Sequence, residues 1–135
     1  MRIAFGTDEQ TAVTDHVKDL LTARGHDVEV AGEGDAWPDV GRRVGELVAS
    51  GACELGIVSC STGTGVSIAA NKVPGVRAAL CTDAETARGA RRWNDANVLA
   101  FGLRLTTAAL AGELVHAFLD AEADPSEAAN VAKLR

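Results

Sequence analysis

Short apolar segments alternate along this chain with longer segments of helical period, and no other feature constrains the fold as strongly. The apolar segments are RIAFG from residue 2, VEV from 28, LGIVS from 55, VRAAL from 76 and VLAFG from 98. They show little alternation of polar and apolar residues, which indicates strands buried on both faces of a parallel sheet. The sequence therefore predicts a single three-layer α/β domain, residues 1–135, with five parallel strands and right-handed crossovers.

Residues at helical spacing fill the intervals between these strands. Val13, Val17 and Leu21 lie on one helix face that ends at Gly25, a residue type that favours helix C-termini. Further helices are expected at about 40–50, from about 66, at about 83–94, at 106–119 and at about 125–134. The last of these has little apolar surface of its own, so we expect it to pack on a partner subunit; the alternative is a frayed chain end.

Charge and cysteine content exclude several classes of protein. The 19 acidic residues outnumber the 13 Lys and Arg residues, which argues against binding to nucleic acid or to an anionic membrane surface. No apolar run approaches the roughly 18 residues of a membrane span. Three cysteines without paired spacing do not make a disulfide framework, and the N-terminus becomes polar too early for a signal peptide. We therefore expect a cytoplasmic protein.

The stretch CSTGTGVSIAANK, residues 60–72, follows the third strand, at the edge of the sheet where ligands of parallel α/β proteins bind. Gly63 and Gly65 leave the backbone unshielded, and the N–H groups of the following helix point into the same space, so the loop can hold an oxyanion. A nucleotide is not expected, because the Gly-Lys-Ser/Thr ending of a Walker loop is missing and Ile68 stands where a dinucleotide fingerprint has glycine. The alternative is a tight strand-to-helix turn without a ligand.

Cys60 favours a catalytic interpretation of this loop. It ends the third strand beside a helix N-terminus, a setting that favours the thiolate. Cys81 ends an apolar strand and Cys53 lies in a turn, so both are expected to be packing residues. The loops at 6–9 and 102–104 follow the first and fifth strands and belong on the same rim.

Several segments resemble a known family. GIVSCSTGTGVSIAANKVPGVRAALC closely resembles the segment around the active-site cysteine of the ribose-5-phosphate isomerase B and galactose-6-phosphate isomerase family. IAFGTDE, WPDV and WNDANVLAFGLRLT are similar to its first strand with an Asp-His loop, its Tyr-Pro-Asp segment and its His-Asn-Asp-Ala-Asn-Val-Leu segment. The resemblance covers residues 2 to about 119, and SIAANK and NDANVLAFG are its most specific parts.

The resemblance implies a Rossmann-like fold and an aldose–ketose isomerase that uses no metal, nucleotide or other cofactor. It also implies a homodimer, or a tetramer, in which two chains share each active site. A base in such enzymes moves a proton between C1 and C2 through an enediolate, so Cys60 would be the base. Thr62 would orient a substrate oxygen or assist proton transfer between oxygens. The residues expected to bind the sugar or sugar phosphate are Asp8, Glu9, Ser61, Gly63, Thr64, Gly65, Trp93, Asn94 and Arg104.

Three of these residues also have structural interpretations. Asp8 can be a helix N-cap, Asn94 a helix C-cap, and Arg104 a salt-bridge partner. Two of the chain's three histidines, His16 and His116, fall within helices, and the third precedes the second strand, so all three are expected on the surface or at an interface.

The chain departs from the family at the residues that bind the phosphate group and open the sugar ring. Glu9 stands where the family has a histidine near the phosphate, and Trp93 stands where a second histidine opens the sugar ring. The family's C-terminal arginines have no counterpart in DPSEAANVAKLR, which leaves Arg104 as the clear phosphate contact, with Lys133 and Arg135 near the end. We therefore expect an isomerase for an open-chain or unphosphorylated sugar, with weak use of ribose 5-phosphate. The alternative is a catalytically inactive binding or scaffold subunit that pairs with a complementary homologue.

Overall fold

The chain folds into one parallel sheet flanked by helices, and the computed structural model describes residues 1–134. The strands, in the order β2-β1-β3-β5-β4, are β1 Arg2–Thr7, β2 Asp27–Glu33, β3 Leu55–Cys60, β4 Ala78–Leu80 and β5 Val98–Gly102. The helices are α1 Ala12–Ala23, α2 Trp37–Ala49, α3 Thr64–Asn71, α4 Ala84–Asn94, α5 Ala108–Asp120 and α6 Ala128–Val131, the last preceded by a 3₁₀ turn at Pro125–Glu127. The predicted five-stranded parallel α/β architecture is confirmed.

Two hydrophobic cores lie on opposite faces of the sheet. Helices α1, α4 and α5 cover one face, where Phe5, Phe101 and Phe118 are fully buried. Helices α2 and α3 cover the other face, which receives Val58 and Cys60 from β3. Because successive strand residues point to opposite faces, the side chain of Cys60 lies on the α2/α3 side of the sheet.

The direction of strand addition reverses at β1, and this reversal positions the site. The chain leaves β1 towards β2 on one side and returns to β3 on the other, so a crevice opens between the carboxyl ends of β1 and β3. Thr7 pairs with Ser59 in the parallel register, and the Asp8 N–H donates to the Ser59 carbonyl at 3.3 Å. Asp8 and Cys60 are therefore neighbours at the ends of adjacent strands.

Two glycines, which have no side chain, allow α2 to pack close to this crevice. A Cβ at Gly6 would lie 2.7 Å from Val40 Cγ1, and a Cβ at Gly41 would lie 2.6 Å from the Cβ of Ala69 on α3. Contacts this short do not occur between real side chains, so both positions require glycine. The N-terminus of α2 is thereby fixed against β1 and α3.

The strand predicted from residue 76 is shorter than expected. The side-chain amide of Asn71 donates to the Ala78 carbonyl at 3.0 Å and accepts from the Ala78 N–H at 2.8 Å. This amide occupies the position where a further strand would pair, so it closes part of the sheet edge.

The C-terminal segment also differs from expectation. The helix expected at about 125–134 is a 3₁₀ turn followed by the four-residue α6, and Arg135 lies outside the described residues. Across residues 1–134, none of the helices combines the length and apolar character needed to span a membrane.

Candidate active site

Cys60 is held rigidly at the end of β3, where it is 5% exposed. Its carbonyl accepts a hydrogen bond from the Leu103 N–H at 2.9 Å, and the Ser61 carbonyl accepts one from the Arg104 N–H at 2.9 Å. These two hydrogen bonds tie the loop after β3 to the loop after β5. The thiol therefore has a fixed position relative to both loops.

Glycines let the loop after Cys60 lie directly on β5. Gly63 has a φ of 81°, and a Cβ there would lie 2.6 Å from Leu80 Cδ1 and 2.7 Å from the carbonyl carbon of Phe101. A Cβ at Gly102 would lie 2.6 Å from the carbonyl oxygen of Thr62. Helix α3 begins at Thr64, two residues earlier than predicted, and no side chain caps its N-terminus. Its first N–H groups are thus free to bind an oxyanion beside Cys60.

The same loop carries several hydroxyl groups. Ser61, Thr62 and Thr64 are all exposed, and the Oγ1 atoms of Thr62 and Thr64 are 2.9 Å apart, so one hydroxyl donates to the other. The loop therefore offers backbone N–H and hydroxyl donors to a polar ligand.

Asp8 lies beside the crevice, directly after β1, and has an unsatisfied carboxyl oxygen. Its Oδ1 atom is enclosed and has no hydrogen-bond partner within residues 1–134. Burial, and after it the charge of Glu9, raise the pKa of Asp8 above its ordinary value. Thr11 is the N-cap of α1, so the interpretation of Asp8 as a helix cap is wrong.

Glu9 is exposed on the turn that follows β1. The Thr7 hydroxyl donates to the Glu9 carbonyl at 2.7 Å and accepts from the Glu9 N–H at 3.3 Å, so the turn is closed by its own side chain. The Glu9 carboxylate is left at the rim beside Asp8.

The other two cysteines are packing residues, as predicted. Cys53 and Cys81 are each 1% exposed. Burial raises the pKa of both thiols, and that of Cys81 reaches about 11. Neither thiol is suited to act as a base at neutral pH.

The structure does not bring Trp93 and Asn94 to Cys60 within one chain. Helix α4 begins at the rim and runs back along the sheet for 11 residues, about 15 Å at 1.5 Å per residue, and both residues lie at its far end. They line a groove of about 970 Å³ along β4, where the Trp93 indole packs over Gly89. Asp95, with a φ of 47°, is the C-cap of α4, so the capping interpretation of Asn94 is wrong.

Arg104 and the histidines complete the charge distribution. Arg104 is exposed and forms no salt bridge with any carboxylate of residues 1–134, so its salt-bridge interpretation has no partner there. His26 hydrogen-bonds the terminal amine, His116 bonds Arg24, and His16 lies near Gly112 of α5. No imidazole of the described chain therefore lies at the β1/β3 crevice.

One residue at this rim, Trp37, was not predicted from the sequence. It begins α2, and a Cβ at Gly65 would lie 2.9 Å from its Cδ2 atom, so the indole covers the first turn of α3. Its side chain is still 44% exposed. The available signal was an aromatic residue directly before Pro38, at a helix start on the ligand-binding edge.

The arrangement is suited to proton transfer at a carbon next to a carbonyl group. Cys60 supplies a thiol, the N-terminus of α3 supplies donors for a developing oxyanion, and Asp8 supplies a carboxyl group with a raised pKa. Over residues 1–134 there is no group of three His, Cys, Asp or Glu side chains that could hold a metal ion.

Known proteins have similar sequences and the same fold. The model of a family described as Ribose/Galactose Isomerase matches residues 3–134. A D-erythrulose-4-phosphate isomerase from Pectobacterium atrosepticum is 38% identical over 128 residues, which cover 90% of this chain and 84% of that protein. A galactose-6-phosphate isomerase subunit LacB from Clostridium acetobutylicum is 40% identical over 115 residues, which cover 82% of this chain and 66% of that protein.

A solved structure agrees with these matches. Ribose-5-phosphate isomerase B from Clostridium thermocellum superposes with a TM-score of 0.93 at 42% identity, and the match covers 98% of this chain and 94% of that one. This likeness confirms the Rossmann-like three-layer fold. The chain therefore belongs to the Ribose/Galactose Isomerase family of sugar-phosphate isomerases.

Proposed function

We propose that this protein interconverts an aldose and a ketose through an enediolate, and that its substrate is a short sugar phosphate that exists in open-chain form. The observation that carries the proposal is the position of Cys60, at the end of β3 and next to the uncapped N-terminus of α3. A base and an oxyanion site are thereby adjacent, and no imidazole of residues 1–134 lies with them.

Cys60 and the loop that follows it have separate roles in removing the proton from carbon. The Cys60 thiolate removes the proton from the carbon next to the carbonyl group and later returns it to the neighbouring carbon. The negative charge that develops on the carbonyl oxygen is stabilised by the N–H groups at the start of α3, since these donors are already oriented. Thr62, whose hydroxyl is paired with that of Thr64, orients the same oxygen.

The absence of an imidazole at the crevice, among residues 1–134, favours a substrate that does not need ring opening. Pentose and hexose phosphates close into rings, and opening them benefits from a general acid. A four-carbon sugar phosphorylated on O4 cannot close a five-membered ring, because O4 is the atom that would form it. The relative from Pectobacterium atrosepticum is named a D-erythrulose-4-phosphate isomerase, which supports a tetrose phosphate as the substrate.

The charges at the rim favour a modest affinity for the phosphate group. Arg104 is exposed there without a salt-bridge partner in residues 1–134, whereas Glu9 would repel a dianion. One guanidinium supplies a bidentate contact, and each charge-assisted hydrogen bond contributes about 1.5–3 kcal/mol.

We also propose that the working unit is a homodimer with shared sites. Trp93 and Asn94 lie about 15 Å along α4 from the rim, so only a second copy can bring them to Cys60. The groove they line exposes Leu80, Trp93 and Leu134, which are apolar residues suited to an interface.

A substrate panel tests the function. D-erythrose 4-phosphate, D-erythrose and D-ribose 5-phosphate are compared by turnover and by thermal shift, with Cys60→Ala as the inactive control. We expect turnover to be highest for the tetrose phosphate and at least tenfold lower in kcat/KM for ribose 5-phosphate, because the latter must first open. Faster turnover of ribose 5-phosphate would contradict the open-chain proposal, and faster turnover of D-erythrose would contradict a phosphorylated substrate.

A second candidate, an inactive subunit that requires a complementary homologue, is favoured by one observation. The relative from Clostridium acetobutylicum is named a subunit of galactose-6-phosphate isomerase. Turnover by the purified chain alone excludes this candidate. Turnover that appears only after mixing with a homologue encoded in the same organism would establish it.

A further inference from the structure

We propose that Asp8 is a second catalytic residue, which carries the hydroxyl proton from one substrate oxygen to the other while Cys60 carries the carbon-bound proton. The proposal rests on the enediolate reaction proposed above and assigns a step that Cys60 and the oxyanion loop do not perform. Isomerisation requires two proton movements, one between C1 and C2 and one between O1 and O2.

The balance of the reaction defines what the second residue must do. From the aldose, the Cys60 thiolate takes the proton of C2, the C1–C2 double bond forms, and the electrons of the carbonyl group move to O1. The Asp8 carboxylate then accepts the proton of the O2 hydroxyl and delivers it to O1. The C2–O2 carbonyl group forms and C1 takes its proton from the Cys60 thiol. Both residues end in the protonation state in which they began.

The position of Asp8 meets this requirement. Its backbone N–H donates to the Ser59 carbonyl at 3.3 Å, which places Asp8 beside Cys60 across the adjacent strands β1 and β3. Neighbouring strands lie about 4.8 Å apart, so one small substrate can contact both side chains. The Oδ1 atom of Asp8 is enclosed and has no hydrogen-bond partner in residues 1–134, so no neighbouring side chain competes with a substrate for this carboxyl group.

Other groups at the rim are less suited to the step. The Thr62 hydroxyl is engaged with Thr64 at 2.9 Å, and a neutral hydroxyl can relay a proton but cannot hold an extra one. Asp83 is the N-cap of α4, and the hydrogen bond from the Thr86 N–H keeps its pKa low. Glu9 is exposed to solvent. Asp8 lies beside Cys60 with a raised pKa, which suits it to accept a proton.

Burial is the larger cause of the raised pKa of Asp8, and a neighbouring charge is the smaller one. Glu9, the next residue, is the one neighbouring charge that raises the pKa of Asp8, and it acts in addition to burial. Other titratable or charged groups lie on the elements packed beside Asp8. They are Cys60 on β3, Arg104 after β5, Glu33 at the end of β2, Asp35 after β2, and Asp39, Arg42 and Arg43 on α2. The negative charge of each carboxylate among them is balanced by a salt bridge: Glu33 pairs with Lys18, Asp35 with Arg43 and Asp39 with Arg42.

Exchange of the carbon-bound hydrogen separates the two proton movements. D-erythrose 4-phosphate is incubated in D₂O, and deuterium entry at C2 of the recovered aldose is measured alongside ketose formation. We expect Asp8→Asn to lower ketose formation by about 10²–10⁴-fold, the usual effect of removing a general acid or base, while C2 exchange falls less than about tenfold. The ratio of exchange to isomerisation therefore rises at least about tenfold.

Matched variants make each outcome decisive. Cys60→Ala should abolish both exchange and isomerisation, and Asp83→Asn, which removes another rim carboxylate but keeps a capping side chain, should leave the ratio unchanged. Asp8→Glu should restore part of the isomerisation. If Asp8→Asn lowers exchange and isomerisation by the same factor, Asp8 only binds the substrate and the proposal is overturned. A wild-type protein that neither exchanges nor isomerises any sugar of the panel overturns the proposed function itself.

Discussion

The backbone of Gly102 lies directly against the backbone of Thr62, so closely that a Cβ at Gly102 would be 2.6 Å from the Thr62 carbonyl oxygen. The loop that follows Cys60 therefore takes its position from β5. Because the N–H groups of α3 continue from this loop, the proposed oxyanion site depends on a glycine that carries no functional group.

Gly102→Ala should displace this loop and reduce activity while the fold persists. A shift of about 1 Å in a catalytic group can cost about 10²-fold in rate, and we expect a loss of that order in kcat/KM. Gly112→Ala is the matched control, because the nearest atom to a Cβ at Gly112 is 3.5 Å away. The control should keep its activity and gain up to about 1 kcal/mol of stability, since alanine favours helices. Equal activities of the two variants would show that the loop does not depend on Gly102.

Cys60 should be the thiol that reacts first with an alkylating reagent. It is 5% exposed at the crevice, whereas Cys53 and Cys81 are each 1% exposed and burial raises the pKa of both. We expect iodoacetamide, followed by peptide mass analysis, to label Cys60 before the other two and to abolish activity in proportion. Cys60→Ala should fold normally and show no turnover. Equal labelling of the three thiols, or an active Cys60→Ala protein, would count against Cys60 as the base.

The sequence predicts the strands and helices well because each has a characteristic spacing of apolar residues within a short segment of the chain. The start of α2 was expected near Val40 but is Trp37, since Ala36 supplies no capping side chain and Pro38 was the one signal. The order of β4 and β5 in the sheet cannot be predicted in this way. It depends on how the long crossover connections pack on the sheet, and not on a local pattern of residues. In either order α4 runs back from the rim to the opposite edge of the sheet, so the position of Asn94 far from Cys60 in its own chain follows from the direction of this helix.

Asp8→Asn should stabilise the protein at neutral pH while it removes activity. Burial and Glu9 raise the pKa of Asp8 in the folded state above the ordinary value of 3.8, so the folded protein binds this proton more tightly than the unfolded chain does. The ionised carboxylate therefore lowers stability once the pH exceeds its folded pKa, and this penalty disappears as the pH falls below the unfolded value. We expect a higher Tm for Asp8→Asn at pH 7 and no difference from the wild type near pH 3. A lower Tm at pH 7 would show that the carboxylate has a partner.

Restoring histidines at two positions should create activity on ribose 5-phosphate. Glu9→His removes a negative charge from the rim and adds a phosphate donor, and Trp93→His adds a general acid for ring opening. We expect the double variant to exceed the wild type by at least about tenfold in kcat/KM on ribose 5-phosphate. Trp93→Phe with Glu9→His is the matched control, because it removes the indole without adding an acid, and it should gain less.

Hybrid dimers of these variants test whether two chains share each site. Since Trp93 and Cys60 lie at opposite edges of the sheet within one chain, a histidine at position 93 should act on the Cys60 of the partner. One chain carries Trp93→His with Cys60→Ala, and the other carries Glu9→His with an intact Cys60. Neither chain alone has all three groups, whereas the mixed dimer has one complete site, so mixing should raise ribose 5-phosphate turnover above the sum of the separate chains. Sedimentation should show dimers at micromolar concentration. Turnover that equals the sum, or a monomer in the centrifuge, would mean that each Cys60 works with residues of its own chain.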